Sequence, residues 1–83
     1  MIYPVYTVRD VKVGFDTQFL VQMNDDAAKR AFEMAISNPN QMMGFKPSDF
    51  ELYKIAEFDT DSGQIRAMSI PEFIIGGAEA YAK

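Results

Sequence analysis

The stretch ELYKIAEFDTDSGQIRAM, residues 51–68, places Asp59, Asp61 and Gly63 at the alternating positions where a calcium loop begins, yet the same letters can turn a β-hairpin. A calcium loop needs oxygen ligands spread over about twelve residues, a glycine at about the sixth and a bidentate glutamate at the last. Counted from Asp59, the glycine position falls on Gln64 and the closing position on Ile70, whose side chain has no oxygen. Gly63 comes too early and Glu72 too late. The hairpin asks only for an extended run (residues 51–58), a polar corner and a second extended run (residues 64–68), and all three are present. With Asp61 and Ser62 central in a type I turn, Gly63 can take the left-handed conformation that restores the strand twist. The stretch therefore reads as a hairpin. Strict alternation in its first strand sets Leu52, Lys54, Ala56 and Phe58 against Tyr53, Ile55 and Glu57, so neither face is cleanly polar. A strand of that kind is usually covered on both sides.

Upstream, IYPVYTV (residues 2–8) is β-branched and aromatic, and Pro4 restricts it to a strand start or an edge. It reads as an edge strand. After the corner RDVKVG, the run FDTQFLVQM (residues 15–23) alternates, with Phe15, Thr17, Phe19, Val21 and Met23 on one side. This predicts a half-buried strand pairing back on the first. NDDAAKRAFEMAIS (residues 24–37) is a helix: Asn24 or Asp25 can cap it, Asp25 and Asp26 suit its positive end, and Ala28, Ala31, Phe32, Ala35 and Ile36 follow helical spacing. Pro39 stops it. Residues 38–49 read as an irregular connection in which Met42, Met43 and Phe45 either fold back as a flap or meet a partner. The tail IPEFIIGGAEAYAK carries a double glycine that reads as a hinge or helix stop, and residues 71–83 are expected to fray.

These elements predict one α+β domain over residues 1–83: a hairpin, one helix and a second hairpin, with the helix on one face of a four-stranded, mainly antiparallel sheet. At 83 residues such a domain buries only about 60% of its unfolded surface. The chain has no cysteine and no histidine, which excludes disulfides, thiolate or imidazole metal sites and histidine-based triads. No cofactor and no catalysis are expected. Residues 1–20 lack a signal-peptide pattern and no run of about 18 apolar residues occurs, so the chain is expected to stay soluble where it is made, away from membranes. The net charge of −4 opposes a broad nucleic-acid-coating field. Seven phenylalanines, four tyrosines and six methionines exceed what a minimal core needs. The sheet face opposite the helix should then be apolar enough to support a homodimer or small oligomer through that face or an edge.

The run VYTVRD, the helix NDDAAKRAFEMAISNPN and the stretch KPSDFELYKIAEFDTDSGQI together resemble the small nonstructural protein of gokushoviruses, single-stranded DNA bacteriophages of the Microviridae. The shared features are an aromatic first strand (residues 3–6), an alanine–arginine–phenylalanine helix core (residues 28–32), a proline–acid–aromatic step into a leucine–tyrosine strand (residues 47–53) and an acidic hairpin ending in glycine (residues 58–63). Phe50 stands where a tyrosine is usual and Ala56 where a glycine is usual. The resemblance implies a noncapsid protein in the cytoplasm of the infected bacterial host, linked to viral DNA replication or packaging. It brings no catalytic residue.

Candidate phosphate contacts are Arg9 and Lys12 at the first corner, Lys29 and Arg30 on the helix, and Arg66 in the second hairpin. Arg9 and Lys12 are favoured as lying at a mobile corner free of acidic neighbours. Tyr6 and Tyr53 are the foremost stacking candidates, among Tyr3, Phe15, Phe19 and Phe58, for single-stranded bases on a sheet. The same residues also suit a core. Glu51, Glu57, Asp59 and Asp61 could pair for acid–base or magnesium chemistry, though surface carboxylates are the commoner outcome. Two functions stay open: weak, salt-dependent single-stranded DNA binding, or an adaptor that docks viral replication or procapsid proteins or a host factor without touching DNA.

Overall fold

The computed structural model describes residues 1–38 and 46–81. Its strands are β1 (Ile2–Asp10), β2 (Gly14–Phe15), β3 (Leu20–Val21), β4 (Phe50–Asp59) and β5 (Ile65–Gly76), with helices α1 (Asp25–Ile36) and α2 (Gly77–Tyr81) and a 3-10 turn at Pro47–Asp49. The fold is α+β: one antiparallel sheet in the order β2-β1-β4-β5, β3 also pairing with β1, and α1 over one face. The expected connection fold-back of Met42, Met43 and Phe45 lies outside the described residues.

The first strand is an inner strand, not an edge. β4 lines one side of it and β2 and β3 the other. Pro4 is tolerated there because its carbonyl accepts from Gln22 N at 3.4 Å. In an extended residue N and C=O point the same way, so the nitrogen that lacks a hydrogen also faces beyond the two-residue β3 and not the long β1–β4 ladder.

The run expected to form one half-buried strand is two short pieces. Four residues, 16–19, intervene where β1 has only Thr7 and Val8, so the register slips. Thr7, 2% exposed, satisfies the displaced backbone by pointing its hydroxyl at Asp16 O (3.1 Å) and Gln18 O (3.2 Å). Phe15 and Val21 remain exposed, and Phe19 turns to the rim of a groove beside α1.

Asn24 caps α1 by accepting from Ala27 N at 2.9 Å. The helix buries Ala28, Phe32 and Ile36 against Tyr6, Phe50, Leu52, Ile75 and Ala80. Each large side chain fully buried in this way contributes about 1.5–3 kcal/mol. The β4–β5 corner is the hairpin read from the sequence. Gly63 has φ +76°, its amide donates to Asp59 O at 2.8 Å, and the Asp61 amide donates to Asp59 Oδ1 at 2.9 Å. That last bond is the main reason the Asp59 carboxyl is held below the usual carboxylate range.

β4 does not alternate strictly. Lys54 pairs with Tyr6 and Glu72, whereas Ala56 pairs with Val5 and Ala67, so Ile55 is a bulge between them. Neighbouring β1 residues point to opposite faces, which places Ala56 and Phe58 on the face of Tyr53 and leaves Leu52 and Lys54 on the face of α1. The face assignment made from strict alternation is corrected beyond residue 54.

Residues 71–81 are not a frayed tail. β5 continues to Gly76, α2 follows, and Ile75 and Ala80 are both 2% exposed in the core. The double glycine is neither hinge nor helix stop: Gly77 opens α2 on top of the Pro47–Asp49 turn. A Cβ on Gly77 would lie 1.8 Å from Pro47 O and 2.8 Å from Phe50 O, both main-chain atoms that cannot swing aside. A Cβ on Gly76 would meet only Phe73 Cζ at 3.8 Å, an ordinary contact. Gly77→Ala should therefore destabilise the domain by about 3 kcal/mol or more, at the upper end for overpacking, while Gly76→Ala stays within about 1 kcal/mol. Urea denaturation of the two variants checks this, and equal midpoints would refute the close-approach role.

Candidate functional site

Among the described residues no helix packs on the sheet face away from α1, although its small side chains Val5, Thr7 and Ala56 are only 3%, 2% and 4% exposed. The register puts Tyr3, Val5, Thr7 and Arg9 of β1 on it, with Phe15 of β2, Glu51, Tyr53, Ala56 and Phe58 of β4, and Ile65, Ala67 and Phe73 of β5. Near the β2 end three rings form a row. Phe15 and Tyr53 meet edge to face with centroids 5.3 Å apart, and Tyr53 and Phe73 do so at 5.6 Å. Phe15 is 47% exposed and Phe73 51%, so both rings offer free surface. The Arg9 guanidinium lies 6.0 Å from the Phe15 centroid, at the outer limit of a cation–π contact.

Polar chemistry on this face converges on one carboxylate oxygen. Glu51 Oε1 accepts from Arg9 Nη1 at 3.3 Å and from Tyr53 OH at 3.2 Å. Lys12, just past the end of β1, pairs with Asp49 at 3.4 Å. The first corner is anchored as well, because Val11 N donates to Asp49 O at 2.9 Å and Lys12 N to Asp10 Oδ1 at 2.9 Å. The expectation that Arg9 and Lys12 are free of acidic neighbours is thus corrected: β4 and the 3-10 turn bring a carboxylate to each.

Of the predicted nucleic-acid contacts, Arg9 and Tyr53 come together on the open face, with Lys12 beside them. Lys29 and Arg30 belong to α1, in the other layer. Arg66 pairs in register with Glu57, on the α1 side of the sheet. Tyr6 has no place in a stacking surface, since it is completely buried beneath α1 and its hydroxyl donates to the Asp25 carboxylate in the first helical turn. The four carboxylates considered for metal or acid–base chemistry are dispersed: Asp59 and Asp61 shape the turn, Glu57 faces the α1 side and Glu51 the open side. Among the described residues no three acidic side chains gather in a metal-binding group. Phe73 was missed because residues 71–83 were read as a tail. The short aromatic and β-branched run Phe73, Ile74, Ile75 after Pro71 is the available signal.

An antiparallel sheet with one helical layer and a row of aromatic rings on its other face defines a small α+β domain. The chain belongs to the Phage ORF5 protein family, whose model matches residues 3–80 and so takes in the strand and helix at residues 65–81 as well. It is therefore a bacteriophage protein. Searches of curated proteins and of solved structures find no match. Among the described residues no helix is long and apolar enough to cross a membrane.

Burial, reinforced by the bond to Asp25, raises the Tyr6 phenol well above its ordinary value. Neutral Tyr6 is thus favoured by the folded state, and its contribution is complete below about pH 10, the unfolded phenol value, and declines as pH rises toward the folded one. Tyr6→Phe removes a charge-assisted hydrogen bond and should cost about 1.5–3 kcal/mol at neutral pH. Urea midpoints followed from about pH 8 to 11 should fall more steeply for the parent than for the variant. Parallel curves would show that the phenol does not carry this dependence.

Proposed function

We propose that this protein is a small nonstructural protein of the gokushovirus type, a non-enzymatic accessory factor in the cytoplasm of the infected bacterium. It binds single-stranded DNA through the open sheet face during viral genome replication or packaging. The observation that carries this reading is the row Phe15, Tyr53 and Phe73 on an uncovered sheet, with Arg9 beside its first ring. Unpaired bases expose π-faces that such rings can stack, each stack contributing about 1–3 kcal/mol, while a duplex keeps its bases occupied. Arg9 and Lys12 border the row and supply phosphate contacts. Lys29, Arg30 and Arg66 lie off this face and take no part.

The adaptor reading has its own support in the acidic total and in the carboxylates that already hold Arg9 and Lys12. In that case the apolar face docks a viral replication or procapsid protein, or a host factor. Self-association belongs to either reading. The outer edge of β5 is a poor template for strand pairing, because residues 68–71 bulge opposite Ile55 and Pro71 sits within the bulge. A homodimer therefore uses the face, at the end carrying Tyr3, Phe58 and Ile65, where Ile65 is 62% exposed.

Titration with short single-stranded and duplex DNA at several salt concentrations tests the first reading. Binding should be weak, prefer the single strand and weaken with salt. Phe73→Ala and Phe15→Ala should each cost about 1–3 kcal/mol of affinity, and Arg9→Ala and Lys12→Ala should each lower the salt slope by about 0.7. No binding at low salt makes the adaptor the better account, and binding indifferent to all four substitutions means that another surface is used. Sedimentation at tens of micromolar, about the range where weak association is visible, should detect a dimer that Ile65→Glu disperses. A monomer throughout would remove the self-association proposal.

A further inference from the structure

We propose that Glu51 is a built-in competitor for nucleic-acid phosphate: it occupies Arg9 and the Tyr53 hydroxyl in the free protein and is displaced when a single strand binds. This rests on the DNA-binding reading above and adds the regulation of that site. The geometry is that of an anion already seated among the aromatics. One oxygen, Glu51 Oε1, receives both Arg9 Nη1 at 3.3 Å and Tyr53 OH at 3.2 Å. Tyr53 is the central ring of the row, in edge contact with Phe15 and Phe73, and Arg9 lies against Phe15. A strand laid on those rings brings its phosphates to the same two donors. Carboxylate and phosphodiester oxygens make the same charge-assisted bonds to a guanidinium, so the two anions exclude one another there.

Displacement is feasible because the pair is only loosely held. The Arg9 and Glu51 side chains are 39% and 26% exposed, and partly solvated pairs of this kind contribute little net stability. The contact also selects. A ligand that offers phosphate alone must dislodge Glu51 with no compensating gain, and a duplex is in nearly the same position. A single strand offsets the displacement by stacking on Phe15, Tyr53 and Phe73. Glu51 thus makes binding conditional on free bases, which suits an acidic protein that must not coat every polyanion in a cell.

The test measures binding of a labelled oligothymidylate of about 12 nucleotides to the full chain, with circular dichroism confirming that each variant is folded. Glu51→Gln should tighten binding about 3- to 10-fold, the order expected from releasing a weak surface pair. Glu57→Gln changes net charge equally, but Glu57 is exposed on the α1 side of the sheet, so it should shift affinity by less than about twofold. In an Arg9→Ala background the gain from Glu51→Gln should shrink markedly, as a double-mutant cycle requires of a coupled pair, with only the Tyr53 hydroxyl left to release. A Glu51→Gln variant that binds no better than a binding-competent parent overturns the inference and leaves the DNA-binding reading in place. So does a gain that Glu57→Gln reproduces or that loss of Arg9 leaves undiminished. If the parent and Glu51→Gln both fail to bind at low salt, the DNA-binding reading itself falls.

Discussion

The extra residue at Ile55 governs how this sheet distributes its chemistry. Regular alternation from Glu51 would line the open face with Glu51, Tyr53, Ile55, Glu57 and Asp59, a mixed and largely acidic surface. The bulge exchanges the faces beyond residue 54. Ala56 and Phe58 join Tyr53, while Glu57 joins Lys54 on the side where the first turn of α1 brings Asn24, Asp25 and Asp26. Beyond residue 54 the open face becomes apolar, and the charges of that half of β4 gather on the other side. A one-residue insertion in one strand therefore lets Leu52 keep its core contact while Ala56 and Phe58 extend the open face that Tyr53 begins. The same bulge has a counterpart in β5, where residues 68–71 arch out opposite it.

Two further devices keep the small domain in one arrangement. The Tyr6 hydroxyl fixes the start of α1 to the central strand, and Gly77 lets α2 close directly on the backbone of Pro47 and Phe50. Both bring together segments distant in sequence, which a chain of this length needs because local contacts alone bury too little apolar surface. The second joins residues near the end of the described chain to the entry of β4, so what reads as a loose C-terminal run is a structural closure.

Much of the framework was legible in the letters, for reasons that can be stated residue by residue. Asn24 before an amphipathic run, and Asp61, Ser62 and Gly63 between two extended runs, are local signals, and α1 and the β4–β5 turn follow them closely. Errors arose where a non-local contact overrode the local pattern. Pro4 suggested an edge, but the direction of its carbonyl made an inner position harmless. The regular pattern of residues 15–23 yielded to a register slip that Thr7 satisfies. The face assignment of Ala56 and the role of Gly77 depend on partners dozens of residues away, and no periodicity within a window reports them. The site is half legible for the same reason: the sequence points to Arg9 and Tyr53, Tyr6 is core, and Phe73 joins the row only because β5 runs through Pro71.

Charge sets the terms on which this face can work. With 8 basic and 12 acidic side chains the long-range field repels a polyanion, so encounter with DNA gains no electrostatic steering. On the DNA-binding reading, two phosphate contacts from Arg9 and Lys12 would give a salt slope of only about 1.4 in a single strand, too little to hold a ligand against that repulsion. Whatever affinity the face has must come from short-range apolar contact with the rings, and such contact is available only to a partner whose own flat or apolar surface is already exposed. Unpaired bases meet that condition, and so does the hydrophobic patch of another protein or of a second copy. On the competition proposed above, the Arg9–Glu51 pair beside the rings would separate these partners: a phosphate would have to compete with Glu51 for the guanidinium, whereas an apolar protein surface would bury the pair intact.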